Sequence, residues 1–287
     1  MFIRTEALTH TYMPGTPYAT TALRGVDLEL ERGSCTALLG PSGSGKSTLL
    51  QHLNGLLKPT AGRLLVDGRE VGEDRQELLQ LRRRIGLVFQ MPEQQFFAET
   101  VFDEVAFGPR NLGLDHNAVE ARVKQALSQV GLDYGAIKDR SPFLFSAGQK
   151  RLIALAAVLA LRPEALILDE PTAGLDPSGR RRLIELLAGL NREKGLTILL
   201  ATHDLDQAAL LAERVLVLNR GRIVMDGPPE EIFSAGEELR RIGLALPAIT
   251  EIMLALKQRG LPLDGAVFSI PEARRVINRW RKQAAKL

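Results

Sequence analysis

The segment Gly40-Pro41-Ser42-Gly43-Ser44-Gly45-Lys46-Ser47 decides the reading of this chain, because it spells G-x-x-x-x-G-K-S between two segments of opposite character. Upstream, Cys35-Thr36-Ala37-Leu38-Leu39 is a short apolar run that reads as a strand; downstream, Ser47-Thr48-Leu49-Leu50-Gln51-His52-Leu53 reads as a helix. Glycines let successive backbone N–H groups turn inward with no Cβ in the way, and a helix N-terminus adds partial positive charge. Strand, turn and helix together predict a cradle for the phosphates of a nucleoside triphosphate over residues 40–48. Lys46 then reaches the β- and γ-phosphates, and the Ser47 hydroxyl is placed to ligate Mg²⁺. Taken alone, the motif leaves kinases, GTPases, helicases and transport ATPases open.

Composition narrows the field. The 287 residues suffice for one large domain, or one large and one small, and 45% hydrophobic content supports a full core. Lys plus Arg (37) nearly balances Asp plus Glu (34), so the formal charge of +3 does not point to nucleic acid. A single cysteine, Cys35, excludes an internal disulfide; lying in the apolar strand it reads as an inert core thiol, as in a reducing compartment. The longest apolar run, Leu152 to Leu161, is about half of what a spanning helix needs. The first residues, Met1-Phe2-Ile3-Arg4-Thr5-Glu6, lack the regions of a signal peptide. A membrane role therefore requires a partner.

Up to about Leu39 the chain alternates in short bursts such as Val26-Asp27-Leu28-Glu29-Leu30, which predict strands. Residues 62–68 and 84–89 read as further strands, and from Val101 to Leu161 the spacing is helical. Two apolar strands, 165–169 and 197–202, then flank a helix over 180–190, an alternation that implies a parallel sheet with crossover helices. Beyond Pro228-Pro229 a small folded appendage is expected. Ile249, Ile252, Met253 and Leu256 share one helical face, as do Ala273, Val276, Ile277 and Trp280, and Ser269 with Glu272 forms a capping signature. Its basic cluster, Arg274, Arg275, Arg279, Arg281 and Lys282, reads as a solvated helix face.

The strand Ala165-Leu166-Ile167-Leu168 runs into two carboxylates, Asp169 and Glu170. At the C-terminal end of a parallel strand both face the crevice that holds the phosphates. Asp169 is expected to support Mg²⁺ through its water shell, and Glu170 to orient or deprotonate the attacking water.

With these residues in place the chain resembles the ATP-binding subunit of an ATP-binding-cassette transporter, over residues 1 to about 230. Six motifs stand in order: the phosphate loop, Gln90 after Leu87-Val88-Phe89, the signature-like Phe145-Ser146-Ala147-Gly148-Gln149, Asp169-Glu170, the loop Ala173-Gly174-Leu175-Asp176, and His203. The resemblance implies an α/β P-loop NTPase fold: a RecA-like core with an antiparallel β-subdomain over residues 1–232, an inserted helical subdomain near 92–160, and a small C-terminal α/β dimerisation domain over 233–287. It implies two subunits head to tail with two ATP molecules between them, Ser146, Gly148, Gln149 and Asp176 facing the partner's nucleotide. A helix N-terminus at 149–151 would aim donors at the γ-phosphate. His203 becomes the γ-phosphate sensor, and Gln90 the contact to Mg²⁺ or to the water. Tyr12 is assigned to stack on adenine, with Tyr18 in reserve because residues 13–17 blur the register. Two positions depart from the family's Leu-Ser-Gly-Gly-Gln: Phe145 keeps an apolar anchor, whereas Ala147 adds a methyl that is strained wherever φ is positive.

Further strings, residues 51–60, 88–97 and 103–109, resemble the ATPases of energy-coupling-factor (ECF) importers of vitamins and transition-metal ions, and Tyr12-Met13-Pro14-Gly15-Thr16-Pro17 resembles the second of their two ATPase paralogues. That resemblance implies a heterodimeric ATPase pair in preference to a homodimer, and a transmembrane scaffold docked near Gln94, Phe96, Phe97 and Glu99. It also implies a separate substrate-binding membrane subunit, and a peripheral location at the cytoplasmic face of a bacterial or archaeal membrane. The rival readings are the ATPase of another transporter class and a cassette protein acting on nucleic acid or the ribosome; against the second stand one cassette, one cysteine and no heptad run.

Overall fold

A computed structural model describes residues 1–262, 267–268 and 270–284. In chain order the first part holds β1 (Ile3–Tyr12), β2 (Thr20–Leu30), β3 (Cys35–Leu39), α1 (Lys46–Leu53), β4 (Ala61–Val66), β5 (Arg69–Glu70), α2 (Arg75–Arg84) and β6 (Ile85–Val88). A helical stretch follows with α3 (Val101–Asn111), α4 (His116–Gln129), α5 (Tyr134–Ile137) and α6 (Ala147–Leu159). The chain then returns to alternation with β7 (Ala165–Asp169), α7 (Pro177–Lys194), β8 (Thr197–Thr202), α8 (Leu205–Leu211), β9 (Arg214–Asn219) and β10 (Arg222–Gly227). It closes with α9 (Pro229–Ser234), α10 (Gly236–Arg241), α11 (Ala248–Gln258) and α12 (Ile270–Ala284).

Two sheets result, one antiparallel in the order β2-β1-β4-β5 and one of six strands in the order β10-β9-β3-β8-β7-β6. In the larger sheet β9, β3, β8, β7 and β6 run parallel and only the edge strand β10 is antiparallel. Every residue of β3, β7 and β8 is buried, which is why these strands read as continuous apolar runs with no alternation. The strand that feeds the phosphate loop is central, and its side chains serve three cores. Leu38 packs between the two sheets, Ala37 and Leu39 pack toward α8–α10, and Cys35 packs toward the helical stretch. Burial pushes the Cys35 thiol up to about 12, so it is inert as expected.

At the N-terminal end of β7, away from the carboxylates, Arg32 and Arg84 both pair with Asp67 and Glu164. The Arg32 guanidinium lies 4.1 Å over the Phe2 ring. This four-residue cluster ties the ends of β2, β4 and α2 to the start of β7, at the end of the sheet opposite the phosphates.

Past residue 228 the expected α/β appendage holds the helices α9–α12 joined by turns, and no strand is found among its described residues. Ile232 and Phe233, on either side of the boundary expected at 232, share one core with β3 and β9. Met253, Leu261, Val267 and Ala273 form a separate small cluster with Ile249, Leu256, Val276 and Ile277. Ile252 departs from the expected face, being 54% exposed. Ser269 lies outside the described residues, while Glu272 accepts the Phe268 N–H at 3.2 Å. Arg274, Arg275, Arg279, Arg281 and Lys282 are all exposed, as a solvated face requires.

Candidate active site

Each residue in the phosphate loop has a local reason. Gly40 approaches the Leu218 carbonyl and the Ser44 hydroxyl so closely that a Cβ would stand 2.3 and 2.6 Å from them. Gly45, at φ 109°, turns the chain into α1 against the Ala22 carbonyl. The loop, the first turn of α1, Gln90, Asp169, Glu170 and His203 surround one cavity of about 730 Å³. The strand ends thus bring together residues 41–48, Gln90, Asp169, Glu170 and His203, while Gly40 stands behind the lining. Ser44 lines the cavity with a buried hydroxyl that has no hydrogen-bond partner, the kind of group a phosphate oxygen satisfies.

Lys46 is 9% exposed and donates to the Gly40 carbonyl at 2.6 Å and the Pro41 carbonyl at 3.2 Å. Burial lowers the pKa of its ammonium, opposed by the charges of Glu170 and Asp169. Burial raises the pKa of Asp169; the Ser47 hydroxyl bonded to it pulls the other way, and the charge of Glu170 adds to the rise. Ser47 and Asp169 are therefore already in contact, with Gln90 on the same cavity. These are hard oxygen donors, suited to Mg²⁺ carried in on phosphate oxygens. No group of three or more His, Cys, Asp or Glu side chains that could hold a metal exists among the described residues.

Glu170 has φ 46°, the left-handed region that glycine favours, and this conformation aims its side chain along the strand ends. Its Oε1 accepts from His203 Nδ1 at 2.8 Å, and its Oε2 from the Thr202 hydroxyl at 3.3 Å. The His203 side chain is otherwise open, 70% of it exposed.

The signature segment stands elsewhere. Ser146 caps α6 and forms a reciprocal capping box with Gln149. The helix therefore begins at Ala147, two residues before the expected start. Ala147 is absent from the residues with positive φ, so its methyl meets no backbone strain. Ser146, Gly148, Gln149, Gly174 and Asp176 line a second cavity of about 470 Å³ that shares no residue with the first. Asp176 caps α7; the Ser178 hydroxyl, ahead of the Gly179 N–H, holds its carboxyl below the usual range.

Tyr12 stands beside the phosphate cavity and is not part of its lining. Its hydroxyl bonds the Thr48 hydroxyl at 3.0 Å, its ring meets that of His10 edge-on, and it is 40% exposed. Tyr18 is 79% exposed. In the segment expected to dock a membrane partner, Gln94, Phe97 and Glu99 are exposed, and the Phe97 ring pairs with that of Phe107. Phe96 corrects the expectation: it is 9% exposed and packs edge-on against Phe143, so it is core.

Two partners of the site escaped the sequence reading. Thr202 was readable as the residue before His203 at a strand end. Arg151 gave no such signal: on α6, 3% exposed, it donates to the carbonyls of Gln90, Pro171 and Ala173 and pairs with Glu93. It joins the Gln90 loop, the signature helix and the turn after Glu170.

Residues 23–173 match the ABC transporter family. The chain is similar to the "Energy-coupling factor transporter ATP-binding protein EcfA2" of Symbiobacterium thermophilum, 52% identical over 93% of this chain and 92% of that one. It is also similar to the structure of cbiO1 from Clostridium perfringens, described as part of the ABC transporter complex cbiONQ, with TM-score 0.75 and 40% identity over 88% of this chain and 98% of that one. A dimeric post-hydrolysis state of the ATP-binding cassette MJ0796, bound to ADP and Pi, superposes with TM-score 0.70 at 30% identity, covering 79% of this chain and 98% of that one.

Proposed function

The chain belongs to the ABC transporter family, and from its similarity to energy-coupling factor ATP-binding proteins we infer that it is the ATP-hydrolysing motor subunit of an ECF-type importer. One observation carries the chemistry: a single cavity gathers the phosphate cradle, Asp169, Glu170, Gln90 and His203. The cradle amides, Lys46 and the Ser44 hydroxyl bind the phosphates. Glu170, fixed by His203 and Thr202, orients the attacking water and accepts its proton. His203, held by Glu170 and lining the same cavity, is placed to meet the γ-phosphate. Ser47, Asp169 and Gln90 would hold Mg²⁺, which neutralises charge on the phosphate oxygens. Tyr12, braced on Thr48, supports the adenine.

The second cavity supplies the remaining parts in a pair. Ser146, Gly148, Gln149 and Asp176 sit away from this chain's own phosphate loop, so they serve the nucleotide bound by a partner ATPase. A second paralogue is the favoured partner, from the resemblance of residues 12–17. The C-terminal helices, α11 and α12, help to hold the pair. Among the described residues no helix is long and apolar enough to cross a membrane, so transport is delivered through a transmembrane scaffold docked at Gln94, Phe97 and Glu99, extended by the exposed ring of Phe107. The scaffold is joined by a separate subunit that binds the vitamin or metal ion, and the ATPase lies at the cytoplasmic face.

A mild-detergent pull-down from native membranes, read by mass spectrometry, tests this reading. A second cassette ATPase with small integral membrane proteins is expected. Ribosomal proteins or nucleic acid with no membrane protein would overturn the transport role.

A further inference from the structure

The phosphate cavity has a wall that its motifs do not account for. Beside the phosphate loop, Glu170 and His203 it is lined by Gly243, Leu244 and Ala245. These residues belong to the turn between α10 and α11, beyond the end expected for the nucleotide-binding unit.

The turn is firmly seated. Gly243, at φ 85°, ends α10, where its N–H donates to the Arg240 carbonyl and that of Leu244 to the Leu239 carbonyl. Leu244 and Leu246 are 4% and 5% exposed and share a core with Leu39, the last residue before the phosphate loop, and with Leu205 of α8. The Leu246 side chain lies so close to Gly236 that a Cβ there would stand 2.7 Å from it. Ala245 is the exposed residue between two buried anchors. The amides of Gly243 and Leu244 are committed to α10, and none of the three residues carries a polar side chain, so the turn meets the cavity as a short, mostly apolar wall.

A second contact joins the same elements. α8 starts two residues after His203, and Leu205 and Ala208 on it share the buried core of Leu244 and Leu246. α11 in turn packs with α12 in the separate C-terminal cluster.

We propose that the turn at residues 243–245 is part of the nucleotide-binding surface, so that a nucleoside triphosphate held by the phosphate loop bears directly on the C-terminal helices of the same chain. This rests on the ATPase reading above. Occupancy reaches the C-terminal helices by two contiguous routes, the turn itself and the α8 residues that follow His203 and pack against Leu244 and Leu246. The C-terminal helices then respond to nucleotide before a partner subunit closes.

The test uses the full chain carrying Ala245→Cys. Cys35 is the only native cysteine and is buried, so position 245 reports alone. With Glu170→Gln added to hold ATP, saturating Mg·ATP is expected to slow modification of the new thiol by a small neutral reagent by roughly tenfold, and Mg·ADP by roughly threefold, as a directly shielded thiol requires. An unchanged rate with ATP bound overturns the proposal. Protection by ATP without any by ADP traces to closure of the pair and overturns it as well. In an independent variant, Ala245→Glu, a carboxylate beside the phosphates is expected to raise the ATP dissociation constant roughly tenfold while the unfolding midpoint stays at the wild-type value. Unaltered affinity there counts against the wall equally. Failure of the unmodified chain to bind ATP sinks the ATPase reading instead, which keeps the two apart.

Discussion

The two cavities that carry ATPase motifs are built in contrasting ways. The phosphate cavity is assembled from the ends of parallel strands, and its groups already hold one another: Ser47 against Asp169, His203 and Thr202 against Glu170, Lys46 on its own loop. The signature cavity is assembled from the starts of two helices, α6 and α7, whose caps satisfy only their own first turns. A strand-end site is preorganised by the core behind it, whereas a helix-start site presents donors outward and acquires a task only when something is set against it. On the proposed reading, one chain carries a nearly finished half of a catalytic site and an unfinished half of another.

The sharpest way to break this contrast is in the first cavity. Lys46→Ala is expected to lose ATP binding almost entirely. Glu170→Gln should keep binding and lose turnover by roughly 100-fold or more, the scale of a missing general base; binding and single-turnover assays separate the two. Wild-type turnover in Glu170→Gln would disprove the assigned mechanism.

In the second cavity the effect should appear only in the pair. Ser146→Asp preserves the helix cap but points a negative charge at the partner's nucleotide. ATP affinity of the isolated subunit should stay within about twofold, while turnover of the assembled ATPase falls by roughly tenfold or more. Equal losses in both measurements would mean that the signature acts on its own chain's site.

Arg151 lines the signature cavity, bonds the carbonyl of Gln90 on the other, and tests how separate they are. Arg151→Lys keeps the charge and loses the planar fork that reaches three carbonyls, so the expected loss is about 1–3 kcal/mol of stability in denaturant unfolding. The smallest effect comes from pH. Burial, ahead of every other cause, lowers the pKa of His52, whose ring is bonded to the Thr48 carbonyl and to His10. A histidine kept neutral in the fold stabilises fully above its unfolded value of about 6.5 and loses that contribution as pH falls below it. Unfolding free energy should drop between pH 7.5 and 5.5 by at most about 1.4 kcal/mol per unit from this group. His52→Gln should flatten that part of the profile.

The first cavity was legible because its residues sit in short strings at strand ends, where chain order and spatial order coincide: Gly40 to Ser47, Asp169-Glu170 and His203 all follow β-strands. The parallel sheet was legible from its fully apolar strands. What escaped depends on contacts between segments distant in sequence. Arg151 owes its place to carbonyls 20 or more residues away, with |i−j| of 61 to Gln90 and 20 to Pro171. The turn at 243–245 carries no polar side chain at all, so no motif could announce it. Phe96 and Phe97 are adjacent and chemically identical, yet one is core and the other surface; the short 3₁₀ turn at Pro92–Gln95, which leaves Phe96 facing inward, decides between them. The helix start at Ala147 was hidden by the signature pattern itself, although Ser146 and Gln149 have the spacing of a capping box.

The left-handed backbone at Glu170 has a consequence for anyone mutating this protein at random. In a library sorted for thermal resistance, position 170 should enrich for glycine or asparagine, which relieve both the positive φ of 46° and a carboxylate buried beside Asp169. Sorted for growth on a scarce nutrient, the same library should return glutamate. Divergence of the two selections at this one codon would mark where the fold gives up durability for work.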